Sequence, residues 1–284
     1  MTELYTAKEV NAALKKILEE ERDRLRVRGI SPTLATVRIG NRSVDGAYDA
    51  GLHKKMESFQ ITVRSFEYPE DLGQEELIEK IHYLNADSEI HGILLFQPLP
   101  ESYDSAKVKL SLAYEKDVDS AGLINLGAVV SGEEGHFAYC APEAVLAVLD
   151  HYGISVKGKD ICIIGSGLLV GRPLAMLLSN RLATVLLCNV YTKDVPQYSK
   201  QADIVICACG VPGLVGKKYL SPGQIVIDVG TTFVDGKLRG DLNREEAEGL
   251  VEAYTPTPGG IGAITTTILA RHVMEAALRS PGRR

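Results

Sequence analysis

A strand, a glycine loop and a helix follow one another at residues 160–180, and this order constrains the fold more than any other feature of the chain. The apolar run Asp160–Ile164 leads into the loop Gly165–Gly171 (GSGLLVG), and Pro173 stands in the first turn of the expected helix, where its missing N–H costs little. Such a loop brings backbone N–H groups and a helix N-terminus close to a phosphate. The order predicts a dinucleotide pyrophosphate site, although the spacing GxGxxxG leaves a purely structural glycine turn open.

Strands and helices alternate along both halves of the sequence. Apolar runs predict strands at 33–39, 61–68, 92–96, 160–164, 184–190, 203–209 and 224–229. Apolar residues at helical spacing predict helices over 6–28, 43–58, 74–85, 143–152, 171–180 and 265–278. Alternation of this kind implies parallel sheets covered by helices. A less regular stretch places a boundary between two α/β domains near 142–158.

Charge and apolar patterning exclude several classes of function. The formal net charge is −6 and no Lys/Arg tract is present, so no nucleic acid is expected as a partner. Because the chain lacks both a long apolar run and a basic-then-apolar leader, neither a membrane span nor a secretory signal is expected. The five cysteines lie mostly in apolar runs, which is typical of buried thiols in a reduced, cytoplasmic protein. Cys207 and Cys209 lack a second Cys or His pair at metal spacing, so no metal site is predicted.

The end of the second strand in such a nucleotide unit normally carries the residue that contacts the ribose. Here that segment is residues 188–193 (CNVYTK). It contains neither an acid for a ribose 2′-hydroxyl nor an arginine for a 2′-phosphate. The spacing alone therefore leaves both NAD and NADP open as cofactors.

Four motifs, in order and at wide spacing, carry a family resemblance. They are Gly92–Pro100 (GILLFQPLP), Lys116–Asp119 (KDVD), Gly165–Pro173 and Thr255–Gly262 (TPTPGGIG). Together they resemble the bifunctional methylenetetrahydrofolate dehydrogenase/methenyltetrahydrofolate cyclohydrolase family. The segments Ile225–Gly230 and Arg239–Asp241 fit the same pattern, so the resemblance covers nearly the whole chain.

The resemblance implies a fold, an activity and an assembly. The fold is two α/β domains with a cleft between them: a folate-binding domain of residues 1–142 with 264–284, and a Rossmann-type domain of residues 143–263. The family's dehydrogenase transfers a hydride from 5,10-methylenetetrahydrofolate to a nicotinamide cofactor, and its cyclohydrolase then adds water to the methenyl product and opens the ring. The resemblance also implies a cytoplasmic homodimer that acts in one-carbon metabolism.

On the folate side, the family's residues carry over unevenly. Aligned on Gly40, the family's tyrosine falls on Tyr48, but Asp45 stands at its serine position and Leu52 at its lysine position. Hydride transfer depends on alignment of the reactants, whereas water addition and ring opening need a proton carrier. Because leucine carries no proton, we expect dehydrogenation to persist and cyclohydrolase activity to be reduced or absent. Lys55 is a candidate substitute two helical turns after Tyr48, with a solvated surface lysine as the alternative.

Other folate contacts are also inferred from the resemblance. The family's glutamine falls on Phe96, with Gln97 one place later, and a one-residue strand slip would exchange the two. Asp119 matches the folate-contacting aspartate, and Asp45 is either a carboxylate base or a residue that compensates the helix dipole. The predicted catalytic residues are Tyr48, Asp119, Lys55 and Asp45. The predicted substrate-binding residues are Tyr48, Leu52, Phe96, Gln97, Pro98, Asp119, Pro258, Gly259 and Gly260.

On the cofactor side, Ser166 replaces the family's arginine, which removes the natural bidentate partner of a 2′-phosphate. This replacement favours NAD over NADP, although Arg172 lies nearby. The loop Pro258–Gly262 is expected to approach the nicotinamide because glycines permit close backbone contact; a plain tight turn is the alternative. The predicted cofactor-binding residues are Gly165, Ser166, Gly167, Leu168, Val170, Gly171, Tyr191, Thr192, Cys209, Gly210, Gly230 and Thr231.

Two further functions stay open at this point. A paralogue with the same fold would act on a different substrate, since a fold does not fix a function. A non-catalytic protein would bind nucleotide or pterin without turnover.

Overall fold

The computed structural model describes residues 2–40 and 43–280, and residues 43–48 by their backbone alone. Its strands are β1 (Glu3–Leu4), β2 (Thr33–Ile39), β3 (Thr62–Tyr68), β4 (Gly92–Leu95), β5 (Asp160–Ile164), β6 (Thr184–Cys188), β7 (Ile204–Cys207), β8 (Ile225–Asp228), β9 (Thr232–Val234), β10 (Lys237–Arg239) and β11 (Ala253–Tyr254). Its helices are α1 (Ala7–Val27), α2 (Ser43–Ser58), α3 (Gln74–Ala86), α4 (Ser105–Leu110), α5 (Leu123–Ser131), α6 (Cys140–His151), α7 (Gly171–Asn180), α8 (Val195–Ser199), α9 (Arg244–Ala247) and α10 (Thr265–Arg279).

The chain forms two compact α/β units, which confirms the predicted fold class. The six-stranded unit comprises Met1–Ala13 and Tyr139–Thr265, and the three-stranded unit comprises Leu14–Ala138 and Thr266–Arg284. The predicted domain limits differ from these units mainly at residues 1–13. Those residues lie with the six-stranded unit because β1 pairs in parallel with β11, and the ring of Tyr5 stacks on that of Tyr152 at 4.0 Å. The predicted assignment of a ligand to each stretch of chain stays a prediction.

The three-stranded unit is built on a parallel sheet of order β3-β2-β4. Every residue of the central strand β2 is buried, as expected for a strand covered on both faces. Helix α3 places Leu77, Ile81 and Leu84 on one face, and these side chains pack into the core beside this sheet. Burying each of them stabilises the unit by about 1.5–3 kcal/mol. The sheet is thus a fixed platform for the loops that follow its strands.

The six-stranded unit has the strand order β1-β11-β8-β7-β5-β6, and every pair in it is parallel. Strand β5 lies between β6 and β7, so the two strands that follow β5 in the chain join the sheet on opposite sides of it. A crevice for a ligand forms outside the carboxyl ends of strands at such a switch point. The glycine loop after β5 therefore stands where the fold favours a ligand.

Two element ends differ from the sequence prediction for local reasons. Strand β6 ends at Cys188 rather than 190, because Asn189 starts a turn in which its Oδ1 accepts the N–H of Tyr191 at 2.9 Å. Helix α6 begins at Cys140 rather than 143. Pro142 lies in its first turn, where the missing N–H has no helical partner to lose.

The cysteines are free thiols, four of them buried and Cys209 half-buried, as predicted for most of them. Burial raises the pKa of the Cys162 and Cys188 thiols, whose sulfur atoms lie 3.8 Å apart. In the part of the chain that the structure describes, no group of His, Cys, Asp and Glu side chains is arranged to hold a metal ion. None of the helices in that part combines the length and the apolar character that a membrane crossing requires.

Candidate active site

The three glycines of the loop after β5 have different structural roles. Gly165 has a φ of +123°, and a Cβ there would lie 2.0 Å from the carbonyl oxygen of Ala208 after β7. A Cβ on Gly171 would lie 1.9 Å from the carbonyl oxygen of Gly165, so these two glycines permit the loop to close on β7 and on itself. Around the Cβ position of Gly167, by contrast, no described atom lies within 4 Å. The middle glycine therefore presents open backbone at the N-terminus of α7, where a phosphate is favoured.

The first residues of the turn after β6 offer no charged group to a ribose; the first charged side chain is Lys193. Asn189 uses its side-chain oxygen on the N–H of Tyr191, and its own N–H donates to Oγ1 of Thr192 at 3.0 Å. Val190 and Tyr191 project outward, with 92% and 91% of their surface exposed. The predicted residues Tyr191 and Thr192 thus stand beside the glycine loop, whose Gly165 N–H donates to the carbonyl of Cys188 at 3.0 Å.

Two buried carboxylates hold the segments that follow β7 and β8. Asp241 Oδ2 accepts the N–H groups of Cys209 at 2.7 Å and Gly210 at 2.9 Å. Asp228 Oδ1 accepts the N–H groups of Gly230 at 3.0 Å and Asp241 at 3.1 Å. Because Asp241 takes these N–H groups, β7 ends at Cys207 and not at the predicted residue 209.

The protonation of the groups around this pair follows from their burial. Burial raises the pKa of Asp228 to about 6, and the charge of Asp241 adds to the rise, whereas backbone N–H donors oppose it. Burial, followed by the charge of Asp241, raises the pKa of Cys209 to about 12. Cys209 is therefore a neutral thiol at neutral pH and not a nucleophile.

The segment Thr255–Gly262 packs on the same carboxylates. Thr257 Oγ1 donates to Asp228 Oδ2 at 3.3 Å, and a Cβ on Gly262 would lie 3.1 Å from the methyl group of Thr231. Pro258 and Gly259 are exposed, whereas Gly260 is buried, and a Cβ on Gly260 would lie 2.4 Å from the carbonyl of Pro256. The structure thus brings this loop together with the predicted cofactor residues Gly230 and Thr231.

In the three-stranded unit, a cavity of about 570 Å³ opens at the carboxyl ends of the strands. Its wall includes Ile39 at the end of β2 and Gly40 after it, Glu70 after β3, and residues 98–102 after β4. Of the predicted substrate-binding residues, Pro98 lies in this wall. Phe96 and Gln97 are half-buried residues just before it. Phe96 N–H continues the strand pairing by donating to Val37 at 2.9 Å.

Helix α2 carries the position at which the resemblance expects a lysine. Leu52 is buried there, with 1% of its surface exposed. The Lys55 ammonium lies over the ring of Phe59 at 5.2 Å, one turn toward the C-terminus of the helix. Burial, and secondarily the charge of Lys15, lowers the pKa of Lys55. Its position does not favour the predicted reach toward the start of the helix, and its catalytic role stays a prediction.

The side chains of two predicted catalytic residues, Tyr48 and Asp45, lie outside the described residues. Their backbone belongs to α2 (Ser43–Ser58). Their predicted roles therefore stay predictions.

Within the motif Lys116–Asp119, the side chains of Lys116 and Asp117 are each fixed by hydrogen bonds. The Lys116 ammonium donates to the carbonyls of Leu84 at 3.2 Å and Asp87 at 2.7 Å, at the end of α3. The Asp117 carboxylate is buried and accepts two backbone N–H groups, from Ala121 at 2.9 Å and Gly122 at 2.8 Å. Burial raises the pKa of Asp117, and the N–H donors oppose that rise. Asp117 therefore has a structural role in the loop.

Asp119, the predicted folate contact, is half-buried next to these fixed residues. His272 of α10 donates from Nδ1 to the carbonyl of Val118 at 2.7 Å, which fixes the residue before Asp119. Sequence reasoning assigned no role to Asp228, Asp241 or His272. For Asp228 the available signal was its place at the end of an apolar strand, two residues before Gly230; for Asp241 it was its place directly after Gly240; for His272 the sequence held none.

Both parts of the chain match one protein family. Residues 5–119 match the catalytic domain, and residues 139–281 the NAD(P)-binding domain, of tetrahydrofolate dehydrogenase/cyclohydrolase. The bifunctional protein FolD of Alkaliphilus metalliredigens is 39% identical over 277 residues, which is 97% of this chain and 98% of that protein.

Solved structures agree with these matches. The FolD methylenetetrahydrofolate dehydrogenase/cyclohydrolase of Campylobacter jejuni superimposes with a TM-score of 0.95 at 35% identity, covering 98% of this chain and 99% of that one. The Trypanosoma brucei enzyme, solved with NADP and an inhibitor, has a TM-score of 0.91 at 31% identity and covers 98% of both chains. The similarity therefore extends over nearly the whole chain.

Proposed function

The chain belongs to the tetrahydrofolate dehydrogenase/cyclohydrolase family, and we propose that it oxidises 5,10-methylenetetrahydrofolate with NAD as hydride acceptor while its cyclohydrolase activity is reduced or absent. Proteins of this family have a catalytic domain followed by an NAD(P)-binding domain, and this chain matches both. One observation carries the loss of the hydrolase. At the family's lysine position stands Leu52, an aliphatic side chain that is fully buried.

The six-stranded unit fits a nicotinamide dinucleotide. Open backbone at Gly167 and the N-terminus of α7 suit the pyrophosphate, and the turn after β6 suits the adenosine ribose. The exposed residues Pro258 and Gly259, with Thr231, suit the nicotinamide end. When bound, the cofactor supplies a hydride acceptor.

The residues of this unit hold the hydride donor and acceptor in place and do not transfer a proton. The nitrogen lone pair of the substrate expels the hydride, so the protein has only to hold donor and acceptor within reacting distance and exclude water. The rigid backbone at Gly230 and Gly260 serves that purpose, because each glycine is packed against a carboxylate or a carbonyl group. The replacement of the family's lysine by Leu52, which lies in the other unit, leaves this arrangement intact.

The cyclohydrolase step has a different requirement. Water addition and ring opening need a group that gives and takes a proton, and such a group contributes roughly 10²–10⁴-fold to rate. Leu52 offers none, and the Lys55 ammonium is engaged with Phe59. We infer that the methenyl product leaves this chain unhydrolysed.

The preference for NAD is supported by the surroundings of Ser166. Arg172 donates its Nε–H to the carbonyl oxygen of Ser166 at 2.9 Å. That nitrogen is therefore not offered to a 2′-phosphate, which an arginine binds best through two N–H groups at once. The turn after β6 carries no arginine; its cation in residues 188–193 is Lys193, a point charge without the two-pronged geometry of an arginine.

A two-channel assay tests both halves of the proposal. Formation of reduced cofactor and of the methenyl product is followed separately by absorbance, with NAD and with NADP. We expect the two products to form at equal rates, with NAD the better acceptor, and methenyl product to clear no faster than in buffer. Rapid clearance would contradict the loss of the hydrolase, and absence of reduced cofactor with both acceptors would contradict the dehydrogenase.

Restoring the amine isolates the role of position 52. We expect Leu52→Lys to speed clearance of the methenyl product at least about tenfold. Leu52→Met is the matched control, because it keeps an apolar side chain of similar size without an amine. A folded Leu52→Lys protein that behaves like Leu52→Met would show that the missing lysine is not the cause.

A further inference from the structure

We propose that Asp241 makes the nicotinamide end of the site electronegative, so that the chain binds the oxidised, cationic cofactor in preference to the reduced, neutral one. The inference rests on the function proposed above, because it needs a nicotinamide cofactor on the six-stranded unit. Three observations carry it: the backbone groups that Asp241 holds, the burial of its carboxylate without an ion pair to any described Lys or Arg, and its contact with Gly230.

The first observation is the orientation of the turn after β7. Asp241 Oδ2 accepts the N–H groups of Cys209 and Gly210. In a trans peptide the carbonyl points opposite to its N–H. The carbonyls of Ala208 and Cys209 therefore point away from Asp241. The Ala208 carbonyl packs against Gly165, which leaves the Cys209 carbonyl as the acceptor that this turn can present to a ligand, while the N–H groups of Cys209 and Gly210 are already bonded within the protein.

This polarity is opposite to that of the glycine loop beside it. The loop before α7 presents N–H groups and the positive end of a helix, which suit a phosphate. The turn after β7 presents the carbonyl acceptor of Cys209, which suits an amino group, a ribose hydroxyl or a cationic ring. The two segments are in contact, since a Cβ on Gly165 would lie 2.0 Å from the carbonyl oxygen of Ala208. The site thus has a phosphate-favouring part and a cation-favouring part side by side.

The second observation is that no cation among the described residues pairs with the charge of Asp241. Asp241 has 0% of its surface exposed, and its Oδ1 has no hydrogen-bond partner among the described residues. Its carboxylate neighbour, Asp228, is also buried. In the described ranges 2–40 and 43–280, no Lys or Arg forms an ion pair with either carboxylate. Among the described residues, backbone N–H groups and the Thr257 hydroxyl compensate the pair, so a negative potential extends to the nearby surface.

The third observation is the place of this charge. A Cβ on Gly230 would lie 2.4 Å from Asp241 Oδ1, and the Gly230 N–H donates to Asp228 Oδ1 at 3.0 Å. The next residue, Thr231, is exposed, as is Gly210 on the other side. A single layer of backbone therefore separates Asp241 from the surface proposed for the nicotinamide. At such a separation a buried charge acts on a cationic ring with little screening.

Cofactor titrations without folate test the inference on the full chain. Isothermal titration calorimetry gives Kd for the oxidised and the reduced form of whichever pair, NAD or NADP, the wild-type chain binds more tightly. We expect Asp241→Asn to raise the ratio Kd(oxidised)/Kd(reduced) at least about fivefold, because the substitution removes the charge and keeps the shape. A purely structural role would weaken both forms equally and leave the ratio unchanged.

Asp203→Asn is the matched control. Asp203 lies in the same unit and its carboxylate also accepts a backbone N–H, from Asp160 at 2.9 Å, but at the opposite ends of the strands. We expect this variant to keep the wild-type ratio. An equal shift in both variants would show that the effect is not specific to Asp241 and would overturn the inference.

The remaining outcomes separate this inference from the function it rests on. If the wild-type chain binds neither cofactor pair, the proposed function fails and the inference with it. If it binds a pair and a folded Asp241→Asn protein keeps the ratio, only the inference fails. Should circular dichroism show that Asp241→Asn does not fold, Asp228→Asn removes the adjacent charge, and we expect a shift of about twofold in the same direction. An unchanged ratio there would overturn the inference.

Discussion

Glu21 on helix α1 has a carboxylate whose surroundings favour its protonated form. Its Oε2 is buried and has no hydrogen-bond partner in the described part of the chain. Burial raises the pKa of Glu21 to about 7, Glu275 of α10 adds to the rise, and Arg271 opposes it. Arg271 is shared, because its Nε also lies 3.6 Å from Glu275 Oε1. Replacing the carboxylate by an amide of the same shape, in Glu21→Gln, should therefore stabilise the protein.

The charge of Glu21 lowers the free energy of unfolding, and it does so over a defined range of pH. The folded-state pKa lies above the unfolded value of 4.5, so ionisation is penalised in the folded chain, and stability falls as pH rises from 4.5 through about 7. The full shift corresponds to about 3 kcal/mol. Since the side chain is partly exposed, solvent screening reduces this to about 1–2 kcal/mol at pH 8. At pH 5 most of the penalty is absent, and we expect a difference below about 0.5 kcal/mol.

Thermal unfolding followed by circular dichroism measures this difference. We expect Glu21→Gln to raise Tm by about 3–6 °C at pH 8 and by much less at pH 5. Glu57→Gln, which replaces an exposed glutamate of α2, is the control and should leave Tm unchanged at both values. An equal gain at pH 5 and pH 8 would refute the reasoning, because it would show that the amide acts through something other than the charge.

Three further outcomes are expected. Gly165→Ala should abolish cofactor binding, because its Cβ would lie 2.0 Å from the Ala208 carbonyl oxygen at a φ of +123°. Gly167→Ala has room for its Cβ and should fold normally but bind the cofactor more weakly. Calorimetry measures the binding of each variant, and thermal unfolding measures its stability. Lys116→Met should destabilise the chain by about 1–3 kcal/mol in urea unfolding, since two carbonyls lose a charged donor, and an unchanged midpoint would contradict that role. The homodimer implied by the family resemblance predicts about twice 30.8 kDa by light scattering, and a value near 30.8 kDa would contradict it.

The regular elements were predictable because their signals are local. Strand β2 and helices α2 and α7 begin and end where the sequence predicted, since apolar runs and helical periodicity report directly on backbone geometry. The short elements β1 and β11 were missed. Each has two residues, and their pairing is decided by partners about 250 residues apart in sequence. No periodicity develops over two residues, so the sequence carries no local signal for such a pair.

Parts of the candidate site were predictable for the same reason, and others were not. The glycine loop and the order of the motifs are properties of the chain itself, and they were sufficient to predict the family and the nucleotide unit. The roles of Asp117 and Asp119 within one motif were not separable by sequence pattern alone. The structure separates them, because Asp117 is buried and accepts two backbone N–H groups whereas Asp119 remains half-buried.

By itself, the sequence determined the alternation of strands and helices, the glycines where backbone must pass close to backbone, and the absence of a proton carrier at position 52. Only the tertiary structure decided that Asp228 and Asp241 lie together without an ion pair to any described Lys or Arg, that Lys55 lies over Phe59, and that His272 holds the carbonyl before Asp119. The physical reason is that backbone conformation depends on near neighbours in the chain. The solvation and the partners of a charged side chain depend instead on residues that folding brings in from elsewhere.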